Sequence, residues 1–245
     1  MQIHVISLKR TPERLERFVH SNAHLKQLLV CNAVDGHAAV AGLETAQREA
    51  LMHPDVAYSP AAIGCALSHR ALWIRCMESN QPLTICEDDA LLHTHFEPMS
   101  QAFLTTLPAD WDMVMWGWNF DAGLLAKLEP AMGQTYMKFD PTAVARHQAT
   151  YRSTAFTPAA LRVHMAFGLM CYSLSPSGAA KLLKGCFPLQ PFVLNVKAIP
   201  RKVNNFGIDV ATNRLYPSMN VWCPFPPLAL SENDQTISTI QGRDA

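Results

Sequence analysis

Leu83-Thr84-Ile85-Cys86 is a run of apolar or β-branched residues that leads directly into Glu87-Asp88-Asp89. Such a run reads as a strand buried within a sheet, and three acids cannot follow it into a core. The carboxyl end of a buried strand must therefore emerge here toward water or a ligand. Side chains alternate along an extended chain, so Glu87 and Asp89 are expected on one face and Asp88 on the other. A sheet with a buried central strand also needs helices to cover it.

The chain supplies those helices between further strands. Ile3 to Leu8 is a short β-prone run ended by Lys9-Arg10. Thr11 is placed to cap a helix with Pro12 at its first position, and Leu15, Phe18 and Val19 follow at helical spacing. Leu28-Leu29-Val30 reads as a second strand, closed by the Asp35-Gly36 turn signal. Ser59-Pro60 starts a helix running to about Ser79, with Ile63, Ala66, Leu67, Ile74 and Met77 on its apolar face. Asp112 to Trp116 and Phe167 to Leu174 read as buried strands, and Ser175-Pro176 opens a helix carrying Ala179, Ala180, Leu182 and Leu183. Between Gly117 and His164 the pattern is a mixture of loop and short helix. Beyond Phe187, prolines and asparagines break the periodicity. The alternation predicts an α/β fold with a mainly parallel central sheet flanked by helices, an irregular C-terminal third, and one domain over residues 1–245.

Composition narrows the function classes. The 245 residues are 49% hydrophobic and 16% charged, with 20 basic residues against 20 acidic. That much apolar content excludes a disordered chain, and a zero net charge gives no field for gripping nucleic acid. The seven cysteines are scattered without a CxxC pair and read as reduced core thiols. No signal peptide is evident at Met1 to Arg10, and prolines interrupt the longest uncharged stretch, Leu215 to Ser231. A soluble, cytoplasmic protein is expected.

Charge is informative where it is concentrated. Two carboxylates converging at a strand end repel one another unless a cation joins them, and Mg²⁺ or Mn²⁺ suits such hard ligands. The same acids are also compatible with a helix cap and a solvated turn. His93 and His95 form an HxH pair with no third ligand nearby and read as incidental to metal binding. Lys9, Arg10, Arg14 and Arg17 cluster after the first strand, where guanidinium groups and a helix start suit phosphates or a base edge. Pairing with Glu13 and Glu16 on a solvated helix face is the competing reading. Between Val203 and Ser231 only Asp209 and Arg214 are charged. Asp209 is therefore a candidate general base, or a turn or capping acid after Asn205 and Gly207.

Taken in order, these segments resemble glycosyltransferase family 25, the lipopolysaccharide and lipooligosaccharide biosynthesis transferases. The matching residues are Val5-Ile6-Ser7-Leu8-Lys9-Arg10 with Arg14, Ala33-Val34-Asp35-Gly36, and Ile63-Gly64-Cys65-Ala66-Leu67-Ser68-His69 with Trp73. Leu83 through Ala90 matches most clearly. Weaker echoes are Tyr172-Ser173-Leu174-Ser175 with Gly178-Ala179, Ile208-Asp209, and the tail from Pro227 through Ser238.

The resemblance implies a GT-A-like, inverting transferase moving galactose or glucose from a UDP-hexose to an oligosaccharide or lipid-linked saccharide. Contact with the inner membrane would be at most peripheral, from its cytoplasmic face. Glu87-Asp88-Asp89 would stand for the DxD motif, with Glu87 and Asp89 on Mn²⁺ (or Mg²⁺). Ser7, Leu8, Arg10, Arg14, Ser68, His69, Glu87 and Asp88 would bind the donor, and Asp209 would be the base. Leu169, Met170 and Cys171 depart from the family where an oxygen-bearing side chain would be expected near Gly168. Trp73, Trp116, Trp118 and Trp222 read as core residues rather than sugar platforms. Two other classes fit the acidic strand end: another metal-dependent nucleotide enzyme, such as a nucleotidyltransferase or phosphodiesterase, and an inactive sugar-nucleotide-binding protein. No Walker-type phosphate loop is present.

Overall fold

The computed structural model describes residues 1–42, 44–128, 132–196 and 201–231. The first half contains β1 (Ile3–Ser7), α1 (Pro12–Ser21), β2 (Leu28–Asn32), α2 (Gly36–Ala41), α3 (Thr45–Leu51), α4 (Pro60–Ser79), β3 (Leu83–Glu87), β4 (Ala90–Leu92) and α5 (Phe96–Leu104). There follow β5 (Met113–Met115), β6 (Leu124–Leu128), β7 (Gly133–Met137), α6 (Pro141–Ser153), β8 (Ala159–Ala166), β9 (Cys171–Leu174) and α7 (Pro176–Cys186). The last are β10 (Val193–Val196), β11 (Arg201–Asn204), α8 (Ile208–Asn213), a 3₁₀ turn at Tyr216–Ser218, β12 (Val221–Phe225) and β13 (Ala229–Ser231).

Nine strands form one sheet in the order β2-β1-β3-β9-β5-β12-β8-β6-β7. Strands β1, β2, β3, β5, β12 and β6 run one way, and β9, β8 and β7 run the other. Neighbouring residues in β1 and β3 feed different layers, as strand alternation requires. Ile6 and Ile85 join the apolar cluster containing Ala66 and Trp73 of α4 and Leu182 of α7. Val5 and Cys86 join the one containing Phe18 of α1 and Phe103 of α5.

Helix α4 is built as expected. Ser59 accepts a hydrogen bond from the Ala62 N–H, Pro60 occupies the first turn, and left-handed Asn80 (φ 49°) ends the helix. Helix α7 opens the same way, with Ser175 accepting from the Gly178 N–H. Thr11 differs: it makes no side-chain cap and donates instead to the Leu8 carbonyl.

Other expectations need correction. The Phe167–Leu174 run is not one strand, because β8 ends at Ala166 and β9 begins at Cys171. Gly168, at φ +85°, turns the chain between them. The weakly patterned stretch 117–164 contains β6, β7 and α6 together with most of β8. The C-terminal third is made of short elements, but β12 lies inside the sheet between β5 and β8 despite carrying Pro224. Within the tail that resembled the family, residues 232–238 lie outside the described residues.

Two backbone contacts fix the ground beneath the site. A Cβ on Gly36 would lie 1.7 Å from the Pro60 carbonyl oxygen, and one on Gly64 would lie 2.5 Å from that of Val34. Helix α4 therefore presses directly against the start of α2, and Cys65, Ser68 and His69 come under the loop after β2. Asp112 anchors the sheet's opposite end. Its buried carboxylate accepts from the Asn220 N–H at 2.8 Å, Ser177 Oγ at 2.8 Å and Lys181 Nζ at 2.6 Å. Burial pushes its pKa up, but Lys181 and these donors outweigh it and hold the carboxyl below its ordinary 3.8.

Asp112→Ala is expected to lower the unfolding free energy by about 3 kcal/mol at pH 7, read by urea denaturation. A lowered folded pKa contributes stability above the ordinary value and loses it as pH falls through the folded one. The gap between wild type and variant should therefore narrow below pH 3.8.

Candidate functional site

The carboxyl ends of β1, β2 and β3 lie side by side, with Ser7 opposite Asn32 and Ile6 opposite Glu87. A cleft of about 610 Å³, open to solvent, lies at these ends. Leu8, Arg10 and Arg14 line it after β1, Val34 and Asp35 after β2, Cys65, Ser68 and His69 from α4, and Glu87 and Asp88 from β3. This is where an α/β sheet presents a crevice to a ligand.

The three acids separate into different tasks. Strand β3 stops at Glu87, so the expected alternation does not extend through the turn that holds Asp88 and Asp89. Asp88 is buried and receives Ser7 Oγ at 2.7 Å and Arg14 Nε at 2.8 Å, with Arg14 Nη2 at 2.6 Å. Asp89 Oδ2 lies 4.0 Å from the same Arg14 nitrogen. Its other oxygen, Oδ1, is buried without a hydrogen-bond partner among the described residues. Burial, then repulsion from Glu87 and Asp88, push the Asp89 pKa up to about 7 against the pull of Arg14.

Glu87 ends a chain of buried groups. Trp73 Nε1 donates to Tyr172 Oη at 2.7 Å, Tyr172 Oη lies 2.8 Å from His69 Nδ1, and His69 Nε2 lies 3.1 Å from Glu87 Oε1. Because Tyr172 already accepts from Trp73, its own proton is best used toward His69 Nδ1. His69 then carries its proton on Nε2 and donates to Glu87. Burial raises the Tyr172 pKa well above its ordinary value, which keeps that proton in place.

Asp209 approaches the same space from α8. Its Oδ2 accepts from the Gly168 N–H at 3.1 Å and Oδ1 from the Val210 N–H at 2.9 Å. Burial raises its pKa, these two donors oppose the rise, and Glu87 adds to it. Cys65 feels the same charges: burial first, then Glu87, Asp209 and Asp89, drive its thiol pKa well up. Ligand atoms of Cys65, His69 and Glu87 lie within 4.8 Å of one another, and no other such metal-competent group occurs among the described residues. The enclosed, unsatisfied oxygen of Asp89 and the crowding around Glu87 fit a divalent cation, whose charge would relieve both.

The remaining sequence candidates fall into two groups. Leu8 and Arg10 line the cleft, and Arg10 also makes a half-exposed ion pair with Asp35 at 3.2 Å. Ser7 and Ser68 are engaged internally: Ser7 donates to Asp88, while Ser68 donates to the Gly64 carbonyl and accepts from the Val34 N–H. Trp73, Trp116 and Trp118 are fully buried, and Trp222 lies under the Arg162 guanidinium. His93 bonds the Thr154 carbonyl and belongs to no metal-competent group. Leu169, Met170 and Cys171 are core residues. Cys65 and Tyr172 were missed as members of the site. The i, i+4 spacing of Cys65 and His69 on one helix was the available signal for the first; Tyr172 becomes visible only through strand pairing.

An α/β sheet with an acidic crevice at its strand ends defines a class of ligand-binding enzyme folds. The profile of glycosyltransferase family 25 (LPS biosynthesis protein) matches residues 1–196, and the chain belongs to that family. No curated protein sequence matches it at a significant level. Among the described residues no helix is long and apolar enough to cross a membrane.

Tyr172→Phe removes the oxygen shared by Trp73 and His69 and leaves two buried nitrogens unpaired. The expected cost is about 2 kcal/mol in urea denaturation with an unchanged far-ultraviolet spectrum. A cost below about 0.5 kcal/mol would contradict the hydrogen-bond chain.

Proposed function

We propose that this glycosyltransferase moves galactose or glucose, with inversion, from a UDP-hexose to a hydroxyl of a lipopolysaccharide or lipooligosaccharide core saccharide, assisted by Mn²⁺ or Mg²⁺. The observation that carries the proposal is the cleft at the strand ends, lined by Glu87 and Asp88 together with Arg10 and Arg14, with the buried, unpartnered oxygen of Asp89 on the same turn. Family membership supplies the reaction class.

Each group has a task in this reading. Glu87 and Asp89 hold the cation, which when bound neutralises charge on the departing UDP as a Lewis acid. His69 fixes the orientation of Glu87, and Asp88 keeps Arg14 at the base of the crevice. Arg10, half exposed at the mouth, would exchange its ion pair with Asp35 for the nucleotide's phosphates. Inversion requires a single displacement, in which a base takes the acceptor hydroxyl proton. Asp209 serves as that base, and a pKa raised by burial improves it as a proton acceptor near neutral pH. A lipid-linked acceptor would place the enzyme at the cytoplasmic face of the inner membrane.

Two measurements separate these roles. UDP should bind more tightly with Mn²⁺ than without it in calorimetry, and Asp89→Ala should abolish the difference; equal affinities in wild type would overturn the metal assignment. Asp209→Asn should lower kcat by about 10²–10⁴-fold in a UDP-release assay across a panel of UDP-sugars, with UDP affinity retained. Full transfer by Asp209→Asn would move the base elsewhere.

A further inference from the structure

We propose that Cys65, His69 and Glu87 form a binding site for a thiophilic divalent cation, Zn²⁺, and that an ion held there takes Glu87 away from the Mn²⁺ of the transfer reaction. The competition rests on the transferase reading above; the ligand set stands without it.

The ligands are already gathered. One atom from each of the three residues lies within 4.8 Å of the others. Cys65 and His69 stand four positions apart on α4 and so share one face of that helix. The helix is fixed beneath them, because a Cβ on Gly64 would lie only 2.5 Å from the Val34 carbonyl oxygen. Glu87 reaches the same point from the end of β3, with Oε1 3.1 Å from His69 Nε2. Two ligands bound at about 2.0–2.1 Å to a tetrahedral ion stand about 3.3–3.4 Å apart, so an ion can replace this hydrogen bond with little movement. All three residues line the cleft, which gives the ion a path from solvent and leaves its fourth position to water.

The donor set selects the ion. A sulfur, an imidazole nitrogen and a carboxylate oxygen suit Zn²⁺, whereas Mn²⁺ and Mg²⁺ favour oxygen. Asp88, committed to Ser7 and Arg14, adds no oxygen to the set.

The protons balance. The Cys65 S–H bond breaks as the Zn–S bond forms, and the proton leaves to water. Without the ion, burial and the charges of Glu87, Asp209 and Asp89 hold that proton on sulfur. A dication reverses the sign of the local field. His69 gives up its Nε2 proton, takes one at Nδ1 and donates it to Tyr172 Oη, 2.8 Å away. The phenol oxygen accepts it beside the proton of Trp73 Nε1, using both lone pairs, and turns its own proton aside. A metal-bound histidine is commonly held in this way through its second nitrogen.

Co²⁺ alone, added to the full chain, is the probe. One equivalent should produce a thiolate-to-cobalt charge-transfer band in the near ultraviolet, and Zn²⁺ should bleach it. Cys65→Ser should abolish the band, whereas Cys31→Ser, at the other half-buried thiol, should keep it. Tyr172→Phe should weaken Co²⁺ binding by about 10–100-fold. No band in wild type, a band surviving Cys65→Ser, or one lost in Cys31→Ser would overturn the site. With one equivalent of Zn²⁺ bound, the gain in UDP affinity on adding Mn²⁺ should disappear in wild type calorimetry. In Cys65→Ser, zinc should leave that variant's own zinc-free value unchanged. An undiminished gain in zinc-loaded wild type would overturn the competition. If Mn²⁺ gives no gain in zinc-free wild type, the metal assignment of the transferase reading fails by itself, and the cobalt spectrum still decides the site.

Discussion

Arg14 reaches Asp88 through two nitrogens, at 2.8 and 2.6 Å, while Ser7 closes the other carboxylate oxygen at 2.7 Å. Both charged side chains are largely withdrawn from water, so losing either partner would strand the other at a cost of about 3–5 kcal/mol. The contact joins the end of β1, the first helix and the turn after β3. It also divides the labour among three consecutive acids. With Asp88 satisfied inside the protein, Glu87 is left to His69, and Asp89 keeps one buried oxygen without a partner among the described residues. The acidic turn is thus half structural and half chemical.

A neutral chain can hold such a site because its charges are sorted rather than numerous. Glu87, Asp89 and Asp209 come from two segments more than a hundred residues apart; burial raises the pKa of Asp89 and of Asp209, and repulsion from Glu87 adds to each rise. Repulsion of this kind works against folding, and backbone donors and Arg14 offset it only in part. Two glycines make the arrangement sterically possible. Gly168 turns its N–H toward Asp209 in a conformation side chains rarely adopt, and Gly207 leaves room beside the same carboxylate.

The parts of the fold that could be read from sequence were those with local causes. Helices α4 and α7 announce themselves through a serine cap, a following proline and an apolar face. Strands β1 and β3 do so through continuous apolar runs. The stretch 117–164 could not be read because β6, β7 and β8 lie toward the sheet's far edge, where apolar and polar residues mix. The Phe167–Leu174 run misled because hydrophobicity alone does not reveal a turn within it. Strand β12 was hidden by Pro224 and the prolines that follow it, although it sits inside the sheet. The site shows the same division. Its acids and arginines stand out along the chain, whereas the partnership of Asp88 with Ser7 and the link from Trp73 to Glu87 depend on pairings across as many as 103 positions.

The contact of Gly36 and Gly64 bears on how this family member can diversify. The wall of the crevice below the β2 loop is set by main chain against main chain, with no side chain to trim or enlarge. Its width there is a property of the scaffold. Variation in the shape of the cleft is then left to its rim, where Leu8, Arg10 and Asp35 line it with side chains. The fold behaves like a vice with one fixed jaw.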